Sequence, residues 1–184
     1  MAFALLLKTH APVLPGAIAV AAGLPVASTR QEIDRLTAAG ALDRDRDGAV
    51  TGSAGLSISD GPHHLDLDEG SFRTWCAYDA LGIAGALHAD AVVRTRCGVC
   101  QTAIEVQLVG GIPDQDTTAR LWLADRGADL RRDFCTPTVL LCGDRHGEAW
   151  RERFAGRGEL VTVANGTERG GQQWARCASA SACL

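Results

Sequence analysis

SFRTWCAYDALGIAGALH, residues 71–88, is the stretch on which the fold turns. Phe72, Cys76, Asp79, Ile83 and Leu87 recur at steps of four, three, four and four, the spacing of one helical face. Asp68-Glu69-Gly70-Ser71 stands before it as a helix entrance, with acidic groups at the positive end and Ser71 able to cap. Asp79 is the one formally charged residue between Arg73 and Asp90. The pattern predicts a helix over 71–88 that buries a thiol and a carboxyl side by side.

Upstream, residues 15–56 read as a small winged helix-turn-helix unit. A short helix over 16–22 is broken by Gly23-Leu24-Pro25, a second follows Ser28-Thr29 with Ile33 and Leu36 at helical spacing, and Gly40 stops it. Ala41-Leu42 and Ala49-Val50 flank an acidic Asp-Gly turn and predict a hairpin, the wing. Downstream, AVVRTRC, TAIEVQLV, ARLWLA, TPTVLLC and ELVTVA read as strands. Ile104, Val106 and Leu108 take one side while Glu105 and Gln107 take the other. ADLRRDFC is a turn or short helix, GEAWRERFAG and ERGGQQWARC are helices, and SASACL is a frayed end. The expected fold is α+β: a winged-helix-like unit (1–60) packed on a mixed or antiparallel sheet with flanking helices (61–184), the second part carrying the chemistry.

Composition sets the bounds. With 184 residues, 46% apolar and 22% charged, the chain can bury a proper core and is neither collagen-like nor disordered. The net charge of −4 is spread so that both parts are mildly acidic, which argues against nucleic acid as a partner. The uncharged stretch from Thr9 to Thr29 holds three prolines and two glycines, which argues against a membrane span. The start has no basic region ahead of its apolar residues, so a cytoplasmic protein is expected. Seven cysteines (76, 97, 100, 135, 142, 177 and 183) then point to metal or reactive-thiol chemistry.

A buried aspartate three residues after a buried cysteine brings the two side chains together. Desolvation disfavours the carboxylate, so a raised pKa is expected and a group able to hold a proton near neutrality. The thiol could bind a soft metal while the acid delivers a proton. The other reading is a core helix with a small apolar cysteine and an aspartate bonded to backbone; an unpaired buried carboxylate costs several kcal/mol, which keeps the functional reading in play.

TWCAYDALGIAGAL, preceded by GLSISDGPHHLDLDEG, resembles the signature of the organomercurial (alkylmercury) lyases, in which a Trp-Cys-Ala-x-Asp helix carries a catalytic cysteine and the catalytic aspartate. ADLRRDFCTPTVLLCGDRHGEAW resembles the family's second catalytic segment, and the order agrees from the wing to GELVTVANG. The resemblance covers roughly residues 15–175 and implies Cys76 and Cys135 as mercury-binding thiolates, with Asp79 as the proton carrier. The implied reaction is protonolysis of a carbon–mercury bond to a hydrocarbon and Hg(II), with no organic cofactor. Hg(II) would stay on Cys76 and Cys135, with Asp79 beside it, until cytosolic thiols or a mercuric reductase accept it. A second sulfur on an R-Hg-S centre weakens the mercury–carbon bond, in keeping with the softness of both elements. Three departures stand out: a shorter N-terminal region, Thr136 where a further cysteine is common, and Cys97-Gly98-Val99-Cys100 where the family typically has a single structural cysteine. The alternative is a non-catalytic thiolate carrier or sensor of the same fold for mercury, copper or zinc.

The remaining motifs read more plainly. Cys97 and Cys100 are secondary thiols; as half of a zinc site they would need Cys135 and Cys142, whose spacing is not that of a knuckle. Asp43, Asp45, Asp47 and Gly48 match the first half of a calcium loop, but Ala54 stands where the bidentate glutamate belongs, so a hairpin turn is expected. Arg30 and Arg35 are offset by Glu32 and Asp34, which argues against a DNA-reading helix. His63, His64 and His146 are expected in solvated polar segments. Trp75 and Tyr78 flank Cys76 and could line an apolar pocket, and Arg131 and Arg132 either favour the Cys135 thiolate or face water.

Overall fold

The computed structural model describes residues 1–59, 61–115 and 117–182. It opens with a helix absent from the expectation, α1 (Ala2–Thr9), whose Phe3, Leu6 and Leu7 are buried. Helix α2 (Pro15–Ala22) starts on a proline, whose missing N–H costs nothing in the first turn, and ends on Gly23 in the left-handed region. Helix α3 (Val26–Ala38) begins earlier than expected, because Pro25 opens it and Thr29 is buried with its hydroxyl on the Pro25 carbonyl. Strands β1 (Leu42–Arg44) and β2 (Val50–Ser53) pair antiparallel. Between them Asp45 Oδ1 accepts the Asp47 and Ala49 amides, so the acidic run is the expected turn.

Next come β3 (Leu56–Ser57), β4 (His63–Leu67) and β5 (Gly70–Thr74), followed by α4 (Ala77–Leu87). This corrects the expected helix over 71–88: its first part is a strand. β4 and β5 form a hairpin with Leu65 opposite Phe72, and residues 68–69 make the turn instead of a helix entrance. Phe72, Thr74 and Cys76 are all buried, two residues apart. A step of four fits both the strand period and the helical one, which is why Phe72 and Cys76 read as neighbours on a helix. The cap is Cys76, not Ser71.

Strands β6 (Ala91–Arg96), β7 (Ala103–Val109) and β8 (Ile112–Pro113) complete an eight-stranded sheet of order β1-β2-β3-β5-β4-β6-β7-β8. A second sheet has the order β10-β9-β11, from β9 (Arg120–Ala124), β10 (Val139–Leu141) and β11 (Gly158–Thr162). All pairings are antiparallel. A π-helical turn (Leu130–Cys135) leads to β10, α5 (Asp144–Arg153) follows it, and α6 (Val163–Ala182) closes the chain. The fold is thus α+β, with antiparallel sheets and flanking helices. Cys183 and Leu184, the end of the segment read as frayed, lie outside the described residues.

Helix α4 is buried on every side from Ala77 to Ala84 and touches strands of both sheets. Its remaining face meets α6 at glycines: a Cβ on Gly82 would lie 2.8 Å from the Gly170 Cα, and one on Gly170 2.5 Å from the Gly82 Cα. That approach explains why α6 starts at Val163, ahead of the segment read as helix, and runs through a glycine-rich stretch of weak propensity: packing outweighs it. Among the described residues no helix is long and apolar enough to cross a membrane.

Because backbone stands against backbone there, Gly170→Ala forces the helices apart. The expected cost is about 1–3 kcal/mol, read as a lower urea midpoint at unchanged slope; an unchanged midpoint would mean that the crossing is loosely packed.

Candidate active site

Cys76 sits in extended backbone as the N-cap of α4, and Asp79 is the third residue of that helix. The Asp79 carboxylate accepts the Cys76 amide at 2.8 Å, while the Cys76 side chain faces the Asp79 amide, a reciprocal capping arrangement. The carboxylate therefore stands at the positive end of the helix. Asp79 is nonetheless 3% exposed. Burial pushes its pKa up from 3.8 to about 6, against the lowering pull of hydrogen bonds from Cys76, the Arg131 charge and the Trp75 amide. Burial also pushes the Cys76 thiol up, with its hydrogen bond to Cys135 and the neighbouring Asp79 charge adding to the effect.

Cys135 arrives from far along the chain, at the end of the π-helical turn. Asp129 caps that turn by accepting the Arg132 amide at 2.9 Å. Beyond it, Thr138 donates its amide to the Phe134 and Cys135 carbonyls and takes the Ala77 amide on its own carbonyl at 3.3 Å. This last bond ties the second cysteine's segment to the first turn of α4. As a result the Cys76 and Cys135 sulfurs and an Asp79 oxygen all lie within 4.8 Å of one another, and all three residues are buried. The structure thus brings together the three residues that the sequence singled out.

Two features around the trio were not anticipated. Gly55 lies over Asp79 with a positive φ of 89°; a Cβ there would come within 2.6 Å of the carboxyl carbon. Its segment is held from α6, where the Trp174 indole donates to the Ala54 carbonyl at 2.6 Å. On the other flank, the Arg131 guanidinium stacks 3.2 Å from the Trp75 ring centroid and binds both Asp43 and the Gly40 carbonyl at 2.7 Å. The Trp75 indole donates to the other Asp43 oxygen at 2.8 Å. Arg131 is thus neither a bystander in water nor a simple partner for Cys135, and Asp43 belongs to a latch between β1 and the site. Glycine at a turn and an Asp on a hairpin carry no such message locally, since their partners lie far away in the chain.

Two cavities meet at this point. One of about 230 Å3 is lined by Asp79, Cys135, Phe134, Trp174, Trp75 and Leu130. A larger one of about 830 Å3 also reaches Cys135 and Trp75, past His63 and Trp150. Cys76 is fully buried behind them.

Cys97 and Cys100 stand apart from the trio, grouped with Cys142 and His146. Cys135 takes no part in their cluster, in line with the spacing argument, and one expectation is corrected: His146 is not solvated but placed against the Cys97 sulfur at 3.4 Å. Its cause is tertiary, because β10 and α5 carry Cys142 and His146 up to the turn that follows β6. His63 is also buried, with Nδ1 2.7 Å from the Thr95 hydroxyl, and burial lowers its pKa to about 4. It lies on β4, where alternate residues face the core, in place of the polar extended segment expected there.

The raised Asp79 pKa links to stability with a definite sign. The folded state keeps the proton longer than the unfolded one, so the contribution is most favourable below 3.8 and is lost as pH rises through about 6. Asp79→Asn removes that loss. Relative to wild type, the variant is expected to gain about 2 kcal/mol between pH 4 and pH 7, measured by urea unfolding; parallel profiles would mean that the carboxylate is solvated.

The alkylmercury lyase (MerB) family model matches residues 56–179. An alkylmercury lyase of Streptomyces lividans is 30% identical over 115 residues, which cover 59% of this chain and 52% of that protein. One of Pseudomonas putida is 28% identical over 125 residues, covering 66% and 58%. The matched part therefore spans little more than half the length of these relatives. The crystal structure of the mercury-bound form of MerB2 superimposes with a TM-score of 0.83 at 20% identity, covering 94% of this chain and 86% of that one, a likeness of fold. With the family model spanning more than half of its residues, the chain belongs to the alkylmercury lyase family.

Proposed function

We propose that this protein is an organomercurial lyase that cleaves carbon–mercury bonds by protonolysis, with Cys76, Asp79 and Cys135 as its catalytic residues. The observation that carries this reading is the buried carboxyl grouped with two buried thiols, with a pKa of about 6. At pH 7 such a group is about nine-tenths ionised. It can take a proton from a thiol and return it to carbon, as a general base and then a general acid.

The order of events follows from access. Cys135 lines both cavities, so its sulfur meets the organomercury thiolate first and displaces the exogenous thiol, which leaves with the Cys135 proton. Mercury then reaches Cys76, whose proton passes to the Asp79 carboxylate bonded to it. With two sulfurs on the metal the mercury–carbon bond weakens, and Asp79 delivers its proton to the leaving carbon. Two thiol protons are thus accounted for, one on the released thiol and one on the hydrocarbon, and Hg(II) remains on Cys76 and Cys135. Phe134 and Trp174 supply an apolar wall for the organic group.

No organic cofactor enters this scheme. Cytosolic thiols or a mercuric reductase would accept the ion, which suits a cytoplasmic enzyme. Residues 1–60 act as a winged-helix-like unit covering the site, latched by Asp43, Trp75 and Arg131, over a catalytic core formed by residues 61–184. A mere thiolate carrier needs the two sulfurs alone, and the buried carboxyl favours the catalyst.

Incubation with phenylmercury and excess thiol is expected to release benzene, followed in the headspace by gas chromatography. Asp79→Ala, Cys76→Ala and Cys135→Ala are each expected to fall to background. Undiminished benzene from the Asp79 variant would remove it from the proton route, and no benzene from wild type would leave the carrier.

A further inference from the structure

A second group of metal-ligating side chains lies outside the catalytic trio. Cys97 follows β6 and Cys100 ends the turn to β7; Cys142 follows β10, and His146 lies near the start of α5. Their three sulfurs and one imidazole nitrogen all lie within 4.8 Å of one another. Cys97 Sγ is 3.4 Å from His146 Nδ1, and Cys100 Sγ is 3.6 Å from Cys142 Sγ. A tetrahedral zinc ion with ordinary bond lengths needs edges of about 3.5 Å between sulfur and nitrogen and about 3.8 Å between sulfurs. Both separations are close to these edges. The sulfur pair is also far outside bonding distance for a disulfide, about 2 Å.

The surrounding backbone is built like a metal knuckle. Cys97-Gly98-Val99-Cys100 folds back so that the Gln101 amide reaches the Cys97 carbonyl at 3.0 Å and the Cys97 amide reaches the Thr102 carbonyl at 2.9 Å. Gln101 takes the left-handed conformation, with φ 61°, to close this turn. The Gly98 amide then bonds the Leu140 carbonyl at 3.2 Å, fastening the turn to β10. Gly98 admits no side chain, since a Cβ there would stand 2.8 Å from Val139 and 3.0 Å from the Trp150 ring. The ligand pattern is C-x2-C and then C-x3-H, one pair from the large sheet and one from the small sheet and its helix.

We propose that Cys97, Cys100, Cys142 and His146 form a structural zinc site that staples the two sheets together. Three thiolates and one imidazole fill a tetrahedral shell and leave no open position, the arrangement of a structural rather than a catalytic ion. Cys97 is buried, whereas Cys100 is exposed and Cys142 and His146 are half-buried, so the ion loads from solvent. The staple bears on the catalytic trio by position: β10 runs from the Cys135 segment to Cys142, and a fixed Cys142 limits how far Cys135 can drift from Cys76.

Zinc content of the full chain, purified under reducing conditions with zinc supplied and then desalted, tests this directly and independently of any lyase activity. About one zinc per chain is expected by elemental analysis. Cobalt(II) alone, added to the metal-stripped protein, should give the strong visible bands of a tetrahedral site and a sulfur-to-cobalt charge-transfer band. Cys100→Ser and His146→Gln should each weaken zinc binding at least tenfold. A double Cys76→Ala, Cys135→Ala variant should keep its zinc, and zinc lost there but retained in Cys100→Ser would assign the ion to the other cluster and overturn the proposal. So would a reduced, folded wild type that binds neither zinc nor cobalt in tetrahedral form, or a Cys100–Cys142 disulfide persisting in place of the ion.

Discussion

A carboxylate held out of water at the first turn of a buried helix is the constraint around which this molecule is arranged. Asp79 accepts the Cys76 amide and sits at the positive end of α4, which offsets part of the cost of burying it. The offset is incomplete, and burial leaves the pKa raised to about 6. A group left in that state can exchange a proton near neutrality, so the same incomplete compensation that costs stability provides reactivity.

Holding the carboxyl there requires support from every layer. Gly55 closes over it because only glycine accepts both the positive φ and the lack of space, and the Trp174 indole keeps that turn in place from α6. The helix crossing at Gly82 and Gly170 brings α6 near enough to do so. From the opposite flank the Asp43, Trp75 and Arg131 network ties β1 to the segment that carries Cys135. Arg131 is the common member: it stacks on Trp75, binds Asp43 and lowers the Asp79 pKa through its charge. A disturbance of the hairpin is thereby felt at the acid.

Much of this is legible in the sequence. The pairing of Cys76 with Asp79 follows from a three-residue step that survives the misplaced helix start, since the N-cap and the third helical residue also face each other. The alternation of β7 and the two short helices near the start are equally local patterns. Phe72 was misassigned because a four-residue step satisfies two periods at once, and strand pairing with β4 chose between them. Helix α1 went unread because its apolar residues make sense only against α6 and β2.

The sequence by itself determined the α+β class, the family resemblance and the pairing of Cys76 with Asp79, because each rests on short-range periodicity or on a contiguous motif. Only the tertiary structure decided which cysteines keep company. Cys135 joins Cys76 through the Thr138 carbonyl, while Cys142, seven residues further on, turns to Cys97, Cys100 and His146. That division is set by sheet register and by the path of β10 between the two groups. Which distant strands become neighbours is a long-range property, fixed by the hydrogen bonds formed between them and not by the spacing of residues within any one segment.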